Sequence, residues 1–207
     1  EAARGDYAAA RYPEALKEAV EARQLALRII SGTGTIRHDA AIMELGGRVE
    51  VQRASRATWE AARVGMKLYE GDFLKTGANG LAEVMAVDGT FYRIKPETLF
   101  EVHRGQAIAG SGEGAPTRQS EIKFIVGTVD INTGEGSRSI VKTDAATADI
   151  ASRSTVGVDV DPSKTTGVST YRGKVTLSTE SGSVTLGDRE RVVARLGAGG
   201  LGEKTKL

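Results

Sequence analysis

Residues 71–102 read GDFLKTGANGLAEVMAVDGTFYRIKPETLFEV. Apolar and polar side chains alternate here, and Gly or Asp breaks the alternation at short intervals. Ala82, Val84 and Ala86 share one face of an extended chain, Tyr92 and Ile94 another, and Phe100 and Val102 a third. A period of two is what a strand with one buried side requires. Asp88-Gly89, between the first two runs, is a hairpin signal.

The pattern extends outward in both directions. In GGRVEVQR (46–53), Val49 and Val51 point one way while Arg48, Glu50 and Gln52 point the other. Downstream come KVTLS with Val175 and Leu177, SVTLG with Val184 and Leu186, and RVVARL with Val192, Ala194 and Leu196. Each run has an ordinary strand length. Such a beat suits a sandwich or barrel of hairpins, or a solenoid of stacked coils. Asp88-Gly89 and VDVDPSKTTGVS (158–169) mark at least some neighbours as hairpins. The expected fold is mainly β: a twisted two-sheet or β-solenoid-like domain of many short strands, over 39–197. The Gly-rich insert RGQAIAGSGEGAP (104–116) divides it into halves, 39–104 and 120–197. Residues 198–207 read as a flexible tail or an edge extension.

Residues 1–38 are different material. RYPEALKEAVEARQLALRII (11–30) predicts an N-terminal α-helix, with Pro13 in a first turn that tolerates it. Ala15, Ala19, Ala22, Ala26 and Ile29 form a stripe of small side chains on one helical face. Two readings stand: a docking or self-association helix, and a helix packed on its own domain. SGTGTIRHD (31–39) is a polar linker. The chain opens on Glu1 inside this helical pattern, as a mature or trimmed fragment would.

Composition narrows the function classes. With 207 residues the chain can bury a large core unaided. The absence of cysteine removes disulfides, thiolate catalysis and Cys-ligated metals. Twenty-eight Lys and Arg against 27 Asp and Glu, with the signs interspersed, argue against a nucleic-acid partner. No apolar run approaches the roughly 18 residues of a membrane span.

The motifs in order resemble the FecR-type domain of bacterial envelope proteins. A Gly-x-Val-x-Val opening is matched by Gly47, Val49 and Val51, and Trp59 follows. A Leu-x-x-Gly-Asp pattern ending in Thr is matched by Leu68, Gly71, Asp72, Leu74 and Thr76. An Ala-led strand and Asp-Gly turn are matched by Ala82, Val84, Ala86, Asp88 and Gly89, then Ile94 and Thr98. The second half fits through IVKTDAATADI (140–150) and YRGKVTLSTESGSVTLGDRERVVARL (171–196). There the family's Gly-Thr-x-Phe strand is replaced by RSTVGVDVD (153–161), which leaves the register of that half open. The resemblance implies a non-catalytic module in the periplasm or cell envelope. In the family's namesake this region is the periplasmic part of a transmembrane regulator that relays a receptor's state to a sigma factor. Protein partners are implied, and peptidoglycan for members joined to peptidoglycan-binding modules.

The search for chemistry yields no catalytic, cofactor or metal residues. His38 and His103 stand alone, without His-x-x-x-His spacing or an acidic companion in sequence. Asp159 and Asp161 have calcium-loop spacing but lack the following Gly and Glu, so a hairpin tip is the simpler reading. SGTGT (31–35) and GSGEG (110–114) lack the strand-to-helix context and the Lys of phosphate loops. Asp72 reads as a turn carboxylate that accepts backbone N–H groups two residues on, with Thr76 in a similar role. Trp59, beside Ala57, Ala61 and Ala62, reads as a cap on the core, with sugar stacking as the alternative. The expectation is a non-enzymatic envelope interaction module. The alternatives are the sensory part of an anti-sigma-type regulator and a glycan-binding module.

Overall fold

The computed structural model describes residues 38–105, 107–108, 117–197 and 200–207. Period-two alternation decides the architecture, and the described residues contain eighteen strands and no α-helix. The helix expected over 11–30, with Ala15, Ala19, Ala22, Ala26 and Ile29, lies outside them, as does most of the 104–116 insert. In the first half the strands are β1 (Ala40–Gly46), β2 (Val49–Gln52), β3 (Trp59–Ala61), β4 (Lys67–Leu68) and β5 (Phe73–Thr76). They continue as β6 (Leu81–Ala86), β7 (Phe91–Ile94), β8 (Leu99–His103) and β9 (Ala107–Ile108). The long β10 (Thr117–Asn132) leads into β11 (Ser137–Lys142), β12 (Thr147–Ile150), β13 (Thr155–Val160) and β14 (Thr166–Arg172). The chain closes with β15 (Val175–Thr179), β16 (Gly182–Leu186), β17 (Glu190–Ala194) and β18 (Thr205–Lys206).

Hydrogen-bonded neighbours define two ladders. The first runs β4–β1–β6–β7–β10–β13–β14–β17–β18. The second runs β3–β2–β5–β8–β10–β11–β12–β15–β16, with β9 also on β10. The 16-residue β10 belongs to both. Its N-terminal part pairs with β8 and β11, and from Gly127 onward it pairs with β13 and β7. Strands β5 and β8 pair while the β6–β7 hairpin between them lies in the other ladder. The pairs β10–β13, β12–β15 and β14–β17 bracket β11–β12, β13–β14 and β15–β16 in the same way. A strand therefore pairs with the third one after it, so the chain advances like a solenoid while building two sheets.

Alternation puts one face of each ladder into a shared apolar cluster. The second sheet contributes Val51, Leu74, Phe100, Ile122, Phe124, Val141, Ile150, Val175 and Leu177, the first Ile42, Val84, Ile94, Val129, Ile131, Val158, Val168 and Val192. Each is buried, and each fully buried aliphatic side chain contributes about 1.5–3 kcal/mol of transfer free energy. Leu196 departs from its expected place beside Val192 and Ala194. It is 60% exposed, because β17 ends at Ala194 and Arg195 N–H turns back to the Gly200 carbonyl. Beyond that turn β18 adds to β17 as an edge extension.

Hairpins form where the sequence marks them. The β6–β7 loop holds four residues, Val87 to Thr90, and is closed by Ala86 N–H to Thr90 O at 2.9 Å. The β13–β14 tip is held by the Asp161 carboxylate, which accepts Thr165 N–H at 2.9 Å and Ser163 Oγ–H at 2.6 Å. Gly127-Thr128 marks the point where β10 passes from one sheet to the other.

That crossing is built from hydroxyl clasps. Thr76 Oγ1 accepts Thr98 N–H at 2.9 Å and donates to Lys95 O at 2.7 Å. Thr98 Oγ1 in turn accepts Thr128 N–H at 3.0 Å. In the second half Thr133 Oγ1 accepts Ser154 N–H at 2.9 Å and donates to Ala151 O at 2.6 Å. Ser154 Oγ accepts Lys174 N–H at 3.1 Å.

Candidate functional site

The β2–β3 connection and the turn after β4 enclose an open groove of about 480 Å³, lined by Arg53, Arg56, Glu60, Tyr69, Glu70 and Asp72 among others. Its floor is Asp72, 3% exposed. Asp72 Oδ1 accepts Ala54 N–H at 3.0 Å, and Oδ2 accepts Tyr69 N–H at 3.0 Å and Arg53 Nη1–H at 2.7 Å. These donors are not two residues downstream, as the turn reading expected. They lie three residues back and on a neighbouring loop, so the carboxylate ties two segments together. Arg53 also donates to Glu60 at 2.9 Å and to Lys67 O at 2.8 Å. Burial works against the Arg53 charge, and its hydrogen bonds to Asp72 and Glu60 more than offset that, raising its pKa. A carboxylate engaged by three donors makes a poor general base. The rim carries exposed Arg56, Glu70 and the 41% exposed Tyr69.

Trp59 requires a correction. It sits half-buried on edge strand β3, outside the apolar cluster, and Ala57 and Ala61 are exposed. The Lys75 ammonium lies 4.3 Å from its ring centroid. A residue next to the sheet edge has a neighbouring strand on one side only, which no run of small residues reveals. The other motif residues hold backbone. Gly47 passes against Asn79, and Val49 and Val51 face the core. Asp88 accepts Thr90 N–H at 2.8 Å and Thr90 Oγ1–H at 2.9 Å beside Gly89.

Sequence reading missed two polar clusters. Inside the core, the Tyr92 hydroxyl meets Ser120 Oγ at 2.8 Å and Ser139 Oγ at 2.7 Å. Burial raises the Tyr92 pKa strongly, and burial likewise raises that of Asp88 against the opposing pull of Thr90 and Ser120. Alternation places Tyr92 inward with Ile94, and a buried phenol needs a partner, so the signal was partial. On the outer face of the second sheet, His103 lies 3.5 Å from Glu101 and 4.0 Å from Glu121, which Lys142 holds at 2.6 Å. Alternation already sets Glu101 on the face of His103, whereas the contact with Glu121 needs the β8–β10 register, which puts His103 opposite Glu121. The Asp159 carboxylate binds Arg191 at 2.8 and 3.1 Å, while Asp161 closes its own turn, so the two do not converge. His38, at the linker, has its pKa lowered by burial and by Lys67. Among the described residues no three His, Asp or Glu side chains gather as a metal site, and no helix is long and apolar enough to cross a membrane.

Comparison with known proteins bears on this arrangement. No curated protein matches the chain. Two crystal structures of a candidate anti-sigma factor from Parabacteroides distasonis ATCC 8503, at 2.50 and 1.65 Å resolution, are similar to it. Each has a TM-score of 0.50 and 17% identity, over 65% of this chain and 59% of that one. At this identity the likeness is one of fold, and it spans somewhat over half of the neighbour's length. The family model described as FecR protein matches residues 72–176, from the carboxylate that floors the groove to the strand after the second clasp. That match covers just over half of the sequence, and this chain belongs to the FecR protein family.

Proposed function

We propose that this chain is the extracytoplasmic sensing portion of an envelope signalling regulator, a non-enzymatic module that works by binding a protein partner. The family match over 72–176 carries the reading. The chemistry of the groove supports it: Asp72 is consumed by three structural hydrogen bonds, while the rim offers charged and aromatic groups for recognition. The anti-sigma description of the fold neighbours points the same way. A scaffold role without signalling is the less supported reading. The glycan reading of Trp59 gains nothing from a ring with Lys75 over it. Self-association through the stripe Ala15, Ala19, Ala22, Ala26 and Ile29 stays a proposal for residues 1–38.

Deleting the codons for 72–176 from the chromosomal gene, followed by transcript sequencing, tests the proposal. Altered expression of a set of genes sharing one sigma-factor promoter type is expected. An unchanged transcriptome under conditions where the gene is expressed overturns it.

A further inference from the structure

The four sheet ends among the described strands are not alike. An unpaired edge invites pairing with another chain, and proteins blunt such edges with brevity and charge. β4 has two residues including Lys67, and the Arg53 guanidinium occupies the Lys67 carbonyl. β18 has two residues including Lys206, and β3 has three with Glu60 at its centre. β16, GSVTL, has five residues and no charge, proline or bulge.

Register shows what β16 offers. It pairs with β15 across the two-residue turn Glu180-Ser181, with Thr179 opposite Gly182 and Leu177 opposite Val184. In an antiparallel ladder closed by such a turn these are the hydrogen-bonded pairs. Ser183 and Thr185, both exposed, therefore aim their N–H and C=O groups away from β15. One of these four groups is engaged among the described residues: Thr185 O accepts the Lys204 ammonium at 3.3 Å. That ammonium is also held by both Glu190 oxygens, at 3.1 and 3.0 Å. Lys204 stands where the N–H of a further strand would lie, and can yield the carbonyl without losing its own partner.

We propose that β16 is a docking edge for an extended segment of a partner protein, added antiparallel. This deepens the proposed function and rests on its premise of a protein partner. The pairing rule of the fold supports the antiparallel sense, since β12 takes β15 and β14 takes β17 that way. β15 shows what such a position holds: inward Val175 and Leu177 alternate with Thr176 and Ser178. The half-buried Val184 on the inner face gives an incoming apolar side chain something to cover. A second copy fits worse. With Val184 opposite Val184, Glu180 faces Asp188 of the second copy at both ends, and opposed like charges destabilise a pair.

The test pans a displayed library of random seven-residue peptides on the whole chain. Amide hydrogen exchange then maps the enriched peptide. Expected are sequences alternating β-branched apolar with small polar residues, which slow exchange at Ser183 and Thr185 and leave Trp59–Ala61 unchanged. Lys204→Ala should tighten binding about fivefold, the worth of one ordinary hydrogen bond. Thr185→Pro should weaken it about tenfold, and proline is tolerated on an edge where its N–H faced solvent. A thermal melt checks that variant, and Lys204→Ala decides if it does not fold. Enrichment no better than background, protection elsewhere, protection of β16 by a second copy alone, or indifference to Lys204→Ala overturns the inference. Peptides that avoid β16 while the transcript assay succeeds sink the docking edge alone. Peptides that bind β16 while transcripts stay unchanged sink the signalling role alone.

Discussion

The two clasps, one in each half, use one design with the sheets exchanged. In the first, Thr76 ends β5 and Thr98 precedes β8 in the second sheet, while the β6–β7 hairpin stands in the first. In the second, Thr133 follows β10 and Ser154 precedes β13 in the first sheet, while β11–β12 stands in the second. Glu97 and Arg153, just before the two hydroxyls, share a left-handed backbone at φ 55° and 58°. Gly127 and Gly173 follow, at φ 114° and 94°. A Cβ would lie 2.5 Å from Thr98 Cα at the first and 2.7 Å from Ser154 Cα at the second. The halves differ in spacing, because the 104–116 insert falls between Thr98 and Thr128 and nothing comparable separates Ser154 from Lys174. They differ in grip too: Ser154 makes its bond to Lys174 N–H at 3.1 Å, and Asp188 adds a second anchor on Gly173 N–H at 2.7 Å. A corner this demanding of backbone geometry recurs because it solves one problem, moving a chain between sheets without orphaning buried N–H groups.

The equivalence breaks most sharply at the glycines. Gly127→Ala and Gly173→Ala each force a side chain into a closed left-handed site, and each should cost about 3 kcal/mol or more in urea unfolding. One variant as stable as the parent would show that its corner is not the counterpart of the other. The hydroxyls come next. Thr98→Val and Ser154→Ala leave a backbone N–H without its acceptor, a loss of about 1–3 kcal/mol. Thr98→Val should be the larger loss, since Thr98 lacks a second anchor like Asp188, and equal denaturant midpoints would remove that distinction. The smallest effect belongs to a feature of the first half alone, the buried Asp88. Its folded pKa lies above the ordinary 3.8, so the folded state binds the proton more tightly than the unfolded chain. Its contribution is present below 3.8 and is lost as pH rises through the folded value. Asp88→Asn should flatten this decline in melts taken upward from pH 3.8, and an unaltered profile would exclude Asp88 as its source.

The sequence carried the strands better than the corners. Ala82, Val84 and Ala86, or Val175 and Leu177, announce their faces because each run is read within itself. Gly127-Thr128 was overlooked because glycine inside an apolar run reads as a stop, whereas β10 continues through it into another sheet. Asp72 was legible as a structural carboxylate but its donors were not, since Ala54 and Arg53 come from a separate loop. Trp59 misled for a related reason: its type favours burial, while its place on an edge strand leaves one flank open. The β16 edge was invisible until the pairing of every other strand was known.

The strand that serves both sheets also governs how the molecule comes apart. Neither layer can be peeled away intact, since tearing one ladder off β10 drags at the covalent backbone of the other. Loss of order in either half should therefore propagate through this one segment, and a cut between Ile125 and Gly127 would do more harm than a cut in any hairpin tip.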